Sequence, residues 1–413
     1  MLDIKFIRDN QENVRKSIAD RGMNVDVDEL LGLDEKRRAL IQRIDEARAV
    51  RNKGSAGKPS PEDIEKMRTL GDEISKTEKE LADVESYYLE LLRKVPNMMH
   101  PEIPRGGEQN FNVIIEHGKI PKFDFEPKDH EQLMLNLGLI DFERGAKVSG
   151  AKFYFSKGDL VRLNQALINY GIDIVTKHGF VLVETPDMAK DEILSGVGFN
   201  PRGPETQIYS VDKSDLSLIG TAEITMGGYH ADEIIDLAEG PKKYVALSHC
   251  YRTEAGSYGR ESKGLYRVHQ FTKLEMFIYC KPEDSEKMHK EILGIEEEIV
   301  QGLELPYRVI DIASGDLGAP AYRKFDIEAW MTMKDGYGEI TSTSNCTDYQ
   351  ARRLNIRYRK SSGETEFVHT LNGTAVVSSR FPIAIFENNQ TKEGTIKIPK
   401  VLQKYMDGLE EIK

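Results

Sequence analysis

The sequence predicts an α+β protein that begins with an antiparallel coiled-coil hairpin and continues into an antiparallel β-sheet flanked by helices. Two early segments carry apolar side chains at alternating three- and four-residue steps, the pattern of a coiled-coil seam. Later, strand-like segments at hairpin spacing alternate with amphipathic helical segments. The sequence lacks the glycine patterns of a Rossmann fold or a P-loop. We therefore predict a helical domain in residues 1–100 and a mixed domain in residues 101–413.

The N-terminal domain is predicted to contain one short helix and two long ones. The short helix covers residues 9–21, and the two apolar seams cover residues 30–51 and 67–95. Between the seams, residues 52–61 are rich in glycine, serine and proline, which favour a turn. Two seams joined by a short turn form an antiparallel helical hairpin.

The two arms of the hairpin differ in charge. Residues 36–53 contain seven basic and two acidic side chains, whereas residues 62–90 contain ten acidic and four basic ones. A basic arm backed by an acidic arm can present one face to a phosphate backbone. A solvated coiled coil with ion pairs between its arms fits the same charges, so the pattern leaves both interpretations open.

The composition bounds the class of protein and its compartment. The chain has 413 residues, of which 39% are hydrophobic and 31% charged, and no apolar run approaches the ~20 residues of a membrane span. The N-terminus lacks a signal-peptide pattern, so a cytoplasmic location is expected. The net charge of −12 argues against indiscriminate nucleic-acid binding without excluding a local basic surface. Three widely spaced cysteines predict buried free thiols rather than disulfides or a zinc site.

The mixed domain is predicted to contain a long helix followed by a series of strands. Residues 159–178 are amphipathic at helical spacing, and residues 180–186 predict a strand ended by proline. A loop is expected over residues 256–264. Further strands are predicted near residues 207–211, 244–252, 266–280, 307–312, 324–332, 338–343 and 381–386.

The segment 250–275 is the most informative part of the sequence. Arg252 and Glu254 are two residues apart, so on a strand they would share one face. An arginine fork grips phosphate, and a carboxylate accepts from a base amine. Phe271 and Glu275 are four apart and would also share a face. This arrangement suggests a nucleotide and an amine-bearing second substrate, although a surface ion pair and a core phenylalanine fit the same spacing.

Two other segments hold candidate polar groups. Thr221 and Glu223 would face the same way on an extended segment, but a helix start capped by Thr221 is equally compatible with the sequence. Residues 339–346 alternate a carboxylate with hydroxyls, which makes Glu339 a fair Mg²⁺ ligand near phosphates. A polar-faced edge strand is the alternative there.

The segment 250–275 resembles motif 2 of the class II aminoacyl-tRNA synthetases, in the form seen in seryl-tRNA synthetases of the bacterial type. Residues 159–186 resemble motif 1, which builds the dimer interface in that family, and residues 372–380 resemble motif 3. The similarity extends over essentially the whole chain. It implies a tRNA-binding hairpin domain in residues 1–100 and a class II catalytic domain in residues 101–413.

The resemblance also implies a nucleotide site. Arg252 would bind the ATP α-phosphate and the amino-acid carboxylate, and Arg380 would pack on adenine and reach the γ-phosphate, which makes these two the catalytic residues. Glu254 would contact the adenine amine and Phe271 would stack on the ring. The full ATP-binding set that it implies is Arg252, Thr253, Glu254, Phe271, Glu339, Ile340, Thr341, Ser342 and Arg380.

The same resemblance implies a serine site and a metal. Glu339 and Ser342 would hold Mg²⁺ through ATP. The serine-binding set that it implies is Thr221, Ala222, Glu223, Arg252, Glu275 and Thr374. Glu223 and Glu275 would hold the α-ammonium and the hydroxyl between them, so that the pocket selects serine by hydrogen bonding.

The activity implied by the resemblance is that of a serine–tRNA ligase. L-Serine would be activated with ATP to seryl adenylate and pyrophosphate, and then transferred to the 3′ end of tRNA(Ser). The N-terminal hairpin would grip the long variable arm of that tRNA, and motif 1 would form a homodimer. Whether tRNA(Sec) is also charged is left open.

Some features depart from the family, and other functions fit part of the sequence. The hairpin tip is shorter than usual, Ser379 stands where glycine is common, and Asn389 where tyrosine is common; none replaces a catalytic group. A ligase that loads an amino acid onto a carrier protein would lack the hairpin. A catalytically silent tRNA-binding relative would not need Arg252 and Arg380. A purely structural coiled-coil protein would leave two-thirds of the chain unexplained.

Overall fold

A computed structural model describes residues 1–54, 60–199, 207–254 and 264–413. These residues form two compact units, Met1–Met98 and Met99–Lys413. The centre of the predicted turn at 52–61 and nearly all of the predicted 256–264 loop lie outside the described residues. Among the residues that the structure describes, no helix has the length and apolar character needed to span a bilayer.

The first unit is helical, and its long helices form the predicted hairpin. Its helices are α1 (Ile4–Asp9), α2 (Gln11–Asp20), α3 (Val27–Gly54) and α4 (Pro61–Lys94). The short helix predicted over 9–21 is α2, and α1 is an additional helix that precedes it and ends at Asp9. A capping box begins α4, because the Ser60 hydroxyl accepts from the Asp63 N–H while the Asp63 carboxylate accepts from the Ser60 N–H.

Ion pairs join the two arms of the hairpin. Arg37 on α3 pairs with Glu85 at 3.0 Å, and Arg48, farther along the same helix, pairs with Glu78 at 2.7 Å. Further pairs join Lys36 to Glu80 at 2.9 Å and Arg43 to Glu73 at 2.5 Å. Both the coiled-coil hairpin and the inter-arm ion pairs considered for it are therefore confirmed. Pairs of this exposed kind contribute little stability each.

The second unit is built around one large sheet. Its strands are β1 (Asn112–His117), β2 (Ile140–Asp141), β3 (Phe155–Ser156), β4 (Val181–Glu184), β5 (Met188–Lys190), β6 (Leu216–Leu218), β7 (Ile234–Ile235), β8 (Lys242–Tyr251), β9 (Gln270–Cys280), β10 (Tyr307–Asp311), β11 (Arg323–Met331), β12 (Gly336–Asn345), β13 (Arg357–Arg359), β14 (Thr365–Phe367), β15 (His369–Val377), β16 (Ile396–Lys397) and β17 (Glu411–Ile412). Eight of them form a sheet in the order β1-β10-β11-β12-β15-β9-β8-β4. Within this sheet only the β4–β8 pair is parallel, which confirms the predicted α+β class with an antiparallel sheet.

Helices cover both faces of the large sheet, but unequally. The helices of this unit are α5 (His130–Asn136), α6 (Phe142–Ser149), α7 (Asp159–Lys177), α8 (Asp191–Val197), α9 (Ala222–Gly228), α10 (Ser285–Gly302), α11 (Tyr349–Leu354), α12 (Arg380–Asn389) and α13 (Lys400–Gln403). One face packs against α7 and α10, where Leu274, Met276 and Ile278 of β9 enter the main core. On the other face, Phe277 and Tyr279 pack against α8, α9 and α11.

Two sequence predictions about this unit are wrong. Residues 381–386 were predicted as a strand, but they form the middle of α12. That apolar run is buried throughout, so it lacks the periodicity that separates a strand from a buried helix, and a proline in the first helical turn is tolerated. Near 207–211 the structure has only an isolated bridge between Ser210 and Ser217. Conversely, β15, which carries the motif 3 segment, was not among the predicted strands.

Candidate active site

A polar cleft lies on the sheet face opposite α7 and α10. It is lined by Arg252, Glu254, Tyr266, Val268, Phe271, Lys273, Glu339, Ile340, Thr341, Thr374, Val377, Ser379 and Arg380. Eight of the residues singled out from the sequence are in this set: Arg252, Glu254, Phe271, Glu339, Ile340, Thr341, Thr374 and Arg380. Segments that are more than a hundred residues apart in the chain therefore meet at one place.

The strand geometry expected for Arg252 and Glu254 is wrong, although both reach the cleft. Strand β8 ends at Tyr251, and Glu254 has φ of 49°, in the left-handed region. The Arg252 Nε donates to the Gly220 carbonyl at 3.1 Å, and its guanidinium carbon lies 5.3 Å from the centre of the Phe271 ring. A chain turn, rather than strand alternation, brings the two side chains to the cleft. Thr253, between them, donates its N–H to the Gln207 carbonyl and does not line the cleft.

Strand β9 supplies three side chains to the cleft side of the sheet. Phe271, Lys273 and Glu275 are two residues apart and share a face, as predicted for Phe271 and Glu275. Lys273 Nζ lies 2.6 Å from Glu275 Oε2, and both side chains are buried. Sequence reasoning did not single out Lys273, although the same period of two could have found it.

The carboxylate of Glu275 is one side of a buried polar cluster. The Thr374 hydroxyl donates to Glu275 Oε2 at 3.3 Å, because Thr374 on β15 lies directly opposite Glu275 on β9. Glu223 contributes a second carboxylate, which accepts from the Gln350 amide at 2.8 Å. Burial and the neighbouring charge of Glu275 raise the pKa of Glu223 to about 7.

Residues 221–223 form a helix start rather than an extended segment. Thr221 is the N-cap of α9, and its hydroxyl accepts from the Glu223 N–H at 3.2 Å. Ala222 is fully buried in the adjoining core. Gln350, which was not singled out from the sequence, links this helix start to α11, and only the folded chain brings its position to Glu223.

A bulge in β12 explains how Glu339 and Ser342 come to share a face. Residues three apart on a regular strand face opposite sides, but the register shifts so that Glu339 lies opposite Glu328 and Ser342 opposite Asp326. Ile340 is the extra residue. Strand β12 is an inner strand between β11 and β15, so the edge-strand alternative is wrong.

The charge on Glu339 is set by its neighbours. Arg380 lies 2.7 Å from Glu339 Oε1 and also donates to the Glu339 carbonyl. Although burial opposes ionisation, the charges of Arg380 and Lys324 lower the pKa of Glu339 to about 2. Burial opposes ionisation of Asp326 as well, and there it outweighs the charge of the adjacent Lys324, so the pKa of Asp326 is raised to about 7.

Arg380 begins α12 and is held from two sides. Its guanidinium carbon lies 5.0 Å from the centre of the Tyr266 ring, while Glu339 holds its nitrogen. Ser379, one of the departures from the family pattern, lines the cleft beside it. Asn389, the other departure, donates to the Lys397 carbonyl at 3.2 Å, at the far end of the helix.

The donor set around Glu339 suits a magnesium ion that is carried by a nucleotide. Mg²⁺ prefers oxygen ligands and commonly takes one or two protein carboxylates together with phosphate oxygens. Glu339 is ionised, Ser342 offers a hydroxyl, and Asp326 Oδ1 has no hydrogen-bond partner among the residues that the structure describes. In the described part of the chain, no group of three or more His, Cys, Asp or Glu side chains forms a closed metal site. The three cysteines are buried free thiols.

The family model described as the class II core domain of tRNA synthetases (G, H, P, S and T) matches residues 208–389, which include the cleft. The fold and the cleft together are those of a class II aminoacyl-tRNA synthetase. The family model of the seryl-tRNA synthetase N-terminal domain matches residues 1–99.

Full-length relatives narrow the class to one family. The chain is 54% identical to the serine–tRNA ligase of Treponema denticola, covering 98% of each chain, and 54% identical to that of Dictyoglomus turgidum, covering 100% of this chain and 99% of the relative. The crystal structure of seryl-tRNA synthetase from Pyrococcus horikoshii complexed with ATP matches with a TM-score of 0.93 at 39% identity, covering 100% of this chain and 99% of that one. The chain belongs to the seryl-tRNA synthetase family.

Proposed function

We propose that this protein is a serine–tRNA ligase, which activates L-serine with ATP and transfers it to the 3′ end of tRNA(Ser). The observation that carries the proposal is that two kinds of group lie side by side, one in the lining of the cleft and the other next to it. Two arginines and an ionised glutamate, Arg252, Arg380 and Glu339, adjoin the buried carboxylates of Glu275 and Glu223. The first group suits a nucleotide triphosphate and its metal, and the second suits an ammonium and a hydroxyl.

The nucleotide is proposed to bind between the two arginines. Arg252 would take the α-phosphate, and Arg380 would take the γ-phosphate and one face of the adenine, since a guanidinium offers both charge and a stacking plane. Each guanidinium already lies over an aromatic ring, Arg252 over Phe271 and Arg380 over Tyr266. Glu254, whose Oε2 lies 3.3 Å from Arg267 Nη1, would accept a hydrogen bond from the adenine amine.

The serine is proposed to bind against the buried carboxylates. Its ammonium would lie between Glu223 and Glu275, and its hydroxyl near Thr374, which already donates to Glu275. A substrate without the hydroxyl would leave a buried polar group unpaired, which costs about 1–3 kcal/mol or more. This pocket therefore discriminates against alanine by hydrogen bonding, whereas exclusion of threonine depends on steric closure.

The chemistry needs no side-chain base. The serine carboxylate is ionised at neutral pH and would attack the α-phosphorus in line, with pyrophosphate leaving. Mg²⁺, held through ATP by Glu339 and Ser342, would neutralise phosphate charge. The protein contributes orientation and electrostatic stabilisation, principally through Arg252 and Arg380.

The N-terminal hairpin is proposed to bind the tRNA. Several basic side chains of α3 are paired across the hairpin with acidic ones of α4, so the net positive surface is smaller than the count of basic residues implies. Arg51 and Lys53 extend the basic arm into its exposed outer part. The binding would be electrostatic and would weaken as salt rises.

The protein is proposed to be a cytoplasmic homodimer that forms through motif 1. Strand β4 is an edge strand of the large sheet, and its Val181 and Leu182 are 59% and 47% exposed. Apolar side chains on an open sheet edge are suited to pairing with a second copy. Sedimentation as a monomer at micromolar concentration would contradict this arrangement.

Aminoacylation of a tRNA(Ser) transcript tests the function as a whole. Purified protein with ATP and Mg²⁺ should attach labelled serine to this transcript and attach no threonine, alanine or glycine. A tRNA(Sec) transcript in parallel answers whether that tRNA is also a substrate. Failure to charge tRNA(Ser) under conditions in which the protein is folded would refute the proposal.

A further inference from the structure

A buried histidine ties together two segments that border the cleft. His130 is the first residue of α5, and its Nδ1 lies 2.8 Å from Glu387 Oε1. Its Nε2 lies 3.3 Å from the backbone nitrogen of Leu265, which can only donate. Nε2 is therefore the acceptor, which places the imidazole proton on Nδ1, where it faces Glu387. Both ring nitrogens are thus used in holding other elements.

Glu387 connects this histidine to α12. Its Oε1 also receives the backbone N–H of His130 at 3.4 Å, and its Oε2 receives the N–H of Met333 at 3.2 Å. The Glu387 side chain is buried, and these donors satisfy both of its carboxylate oxygens. Helix α12 begins at Arg380, so Glu387 lies two turns along the helix that carries the cleft arginine.

The histidine ring is packed directly against the backbone that it holds. Gly264 has φ of 59°, and a Cβ added there would lie 2.2 Å from His130 Nε2. Only a residue without a side chain permits this approach. The next residue after Leu265 is Tyr266, whose ring lies against the Arg380 guanidinium and lines the cleft.

We infer that His130 is a positioning residue for the nucleotide site, which fixes the 264–266 segment to α12 so that Tyr266 backs the Arg380 guanidinium. One helix and one segment are joined at two points: Glu387 through His130 to Leu265, and Arg380 directly to Tyr266. Loss of the hydrogen bonds of His130 would allow the Tyr266 ring to move away from the Arg380 guanidinium. This inference rests on the proposed function for the role of Arg380, and His130 itself does not touch the cleft.

The test combines two substitutions of His130 with a matched control. His130→Leu removes both hydrogen bonds, whereas His130→Gln offers an amide that can donate to Glu387 and accept from Leu265. His230→Leu is the control, since His230 has the same kind of pair, with Glu233 at 2.7 Å and the Tyr244 hydroxyl at 3.1 Å, away from the cleft. The readouts are the calorimetric Kd for MgATP and the KM values for ATP and serine in ATP–pyrophosphate exchange.

His130→Leu should weaken MgATP binding about tenfold and raise the KM for ATP similarly, with the KM for serine changed less than twofold. His130→Gln should recover most of the loss, and His230→Leu should bind MgATP normally. In a Tyr266→Ala background, His130→Leu should have little further effect, because its action passes through the ring. Unchanged MgATP binding in His130→Leu, or full additivity with Tyr266→Ala, would overturn the inference. Absence of serine-dependent exchange in the unmodified protein would instead refute the proposed function, and the MgATP affinities would still decide the role of His130.

Discussion

If Glu223 holds the serine ammonium as proposed, its protonation predicts that serine binding depends on pH. Burial and Glu275 raise the pKa of Glu223 to about 7, while the Gln350 amide and the charges of Lys273 and Arg252 oppose the rise. With such a pKa, roughly 9% of Glu223 is ionised at pH 6.0 and about 76% at pH 7.5. Only the ionised form can hold the serine ammonium by charge. The Kd for serine should therefore fall about eightfold between these two pH values.

Isothermal titration calorimetry measures both the affinity for serine and the number of protons released when serine binds. Serine is titrated, in the presence of a non-hydrolysable ATP analogue, into the protein in two buffers of different ionisation enthalpy. Binding at pH 6.0 should release about 0.9 proton, because the bound ammonium forces Glu223 to ionise, and binding at pH 7.5 about 0.2. The control is Glu223→Gln, which keeps an acceptor for the ligand but cannot titrate. Its serine affinity should be weaker and nearly independent of pH. The reasoning would be refuted by a pH-independent Kd without proton release in the unmodified protein, or by the same pH dependence in Glu223→Gln.

Three further perturbations test other parts of the account. Arg252→Ala should lower serine-dependent ATP–pyrophosphate exchange by about 10²-fold or more, because a charge-assisted contact to the reacting phosphate is lost; near-normal exchange would contradict its role. A second variant lacks residues 38–84 and joins Arg37 to Glu85, which form an ion pair between the two arms, by a short turn. It keeps the base of the hairpin, so it should retain ATP–pyrophosphate exchange but lose tRNA charging. If the variant still charged tRNA, the hairpin would not be the part that binds it. Gly373→Ala should lower the free energy of unfolding by about 1–3 kcal/mol in thermal or denaturant unfolding, because its Cβ would lie 2.3 Å from Ile292 Cγ2; Gly294→Ala, with nothing within 4 Å of the added carbon, is the control that should not destabilise.

The sequence correctly predicted elements in which buried side chains recur at a regular spacing along the chain. The coiled-coil seams gave the hairpin, and the period of two along β9 gave the shared face of Phe271 and Glu275. Helix α7 begins and ends within one residue of the predicted 159–178 span. These predictions succeed because periodicity reports directly on which side of an element is buried.

What the sequence could not predict depends on contacts between distant segments. The positive φ of Glu254 and the bulge at Ile340 arise where the chain turns or adds a residue, and neither has a strong local signal. Gln350 reaches Glu223 only because α11 packs beside α9. The link from His130 to Leu265 spans 135 residues and is likewise invisible to any local pattern. The strand prediction for residues 381–386 failed for a different reason. This run is apolar and buried on every side, so its sequence has no periodicity that distinguishes a strand from a helix.

Amino-acid-dependent ATP–pyrophosphate exchange shows whether this cleft activates serine with ATP, as proposed. The purified protein is assayed with Mg²⁺ and with serine, threonine, alanine, glycine or cysteine in turn. Exchange is expected with serine alone. Exchange with a different amino acid would contradict the assignment of Glu223, Glu275 and Thr374 to serine, and the absence of exchange from the folded protein would contradict activation itself.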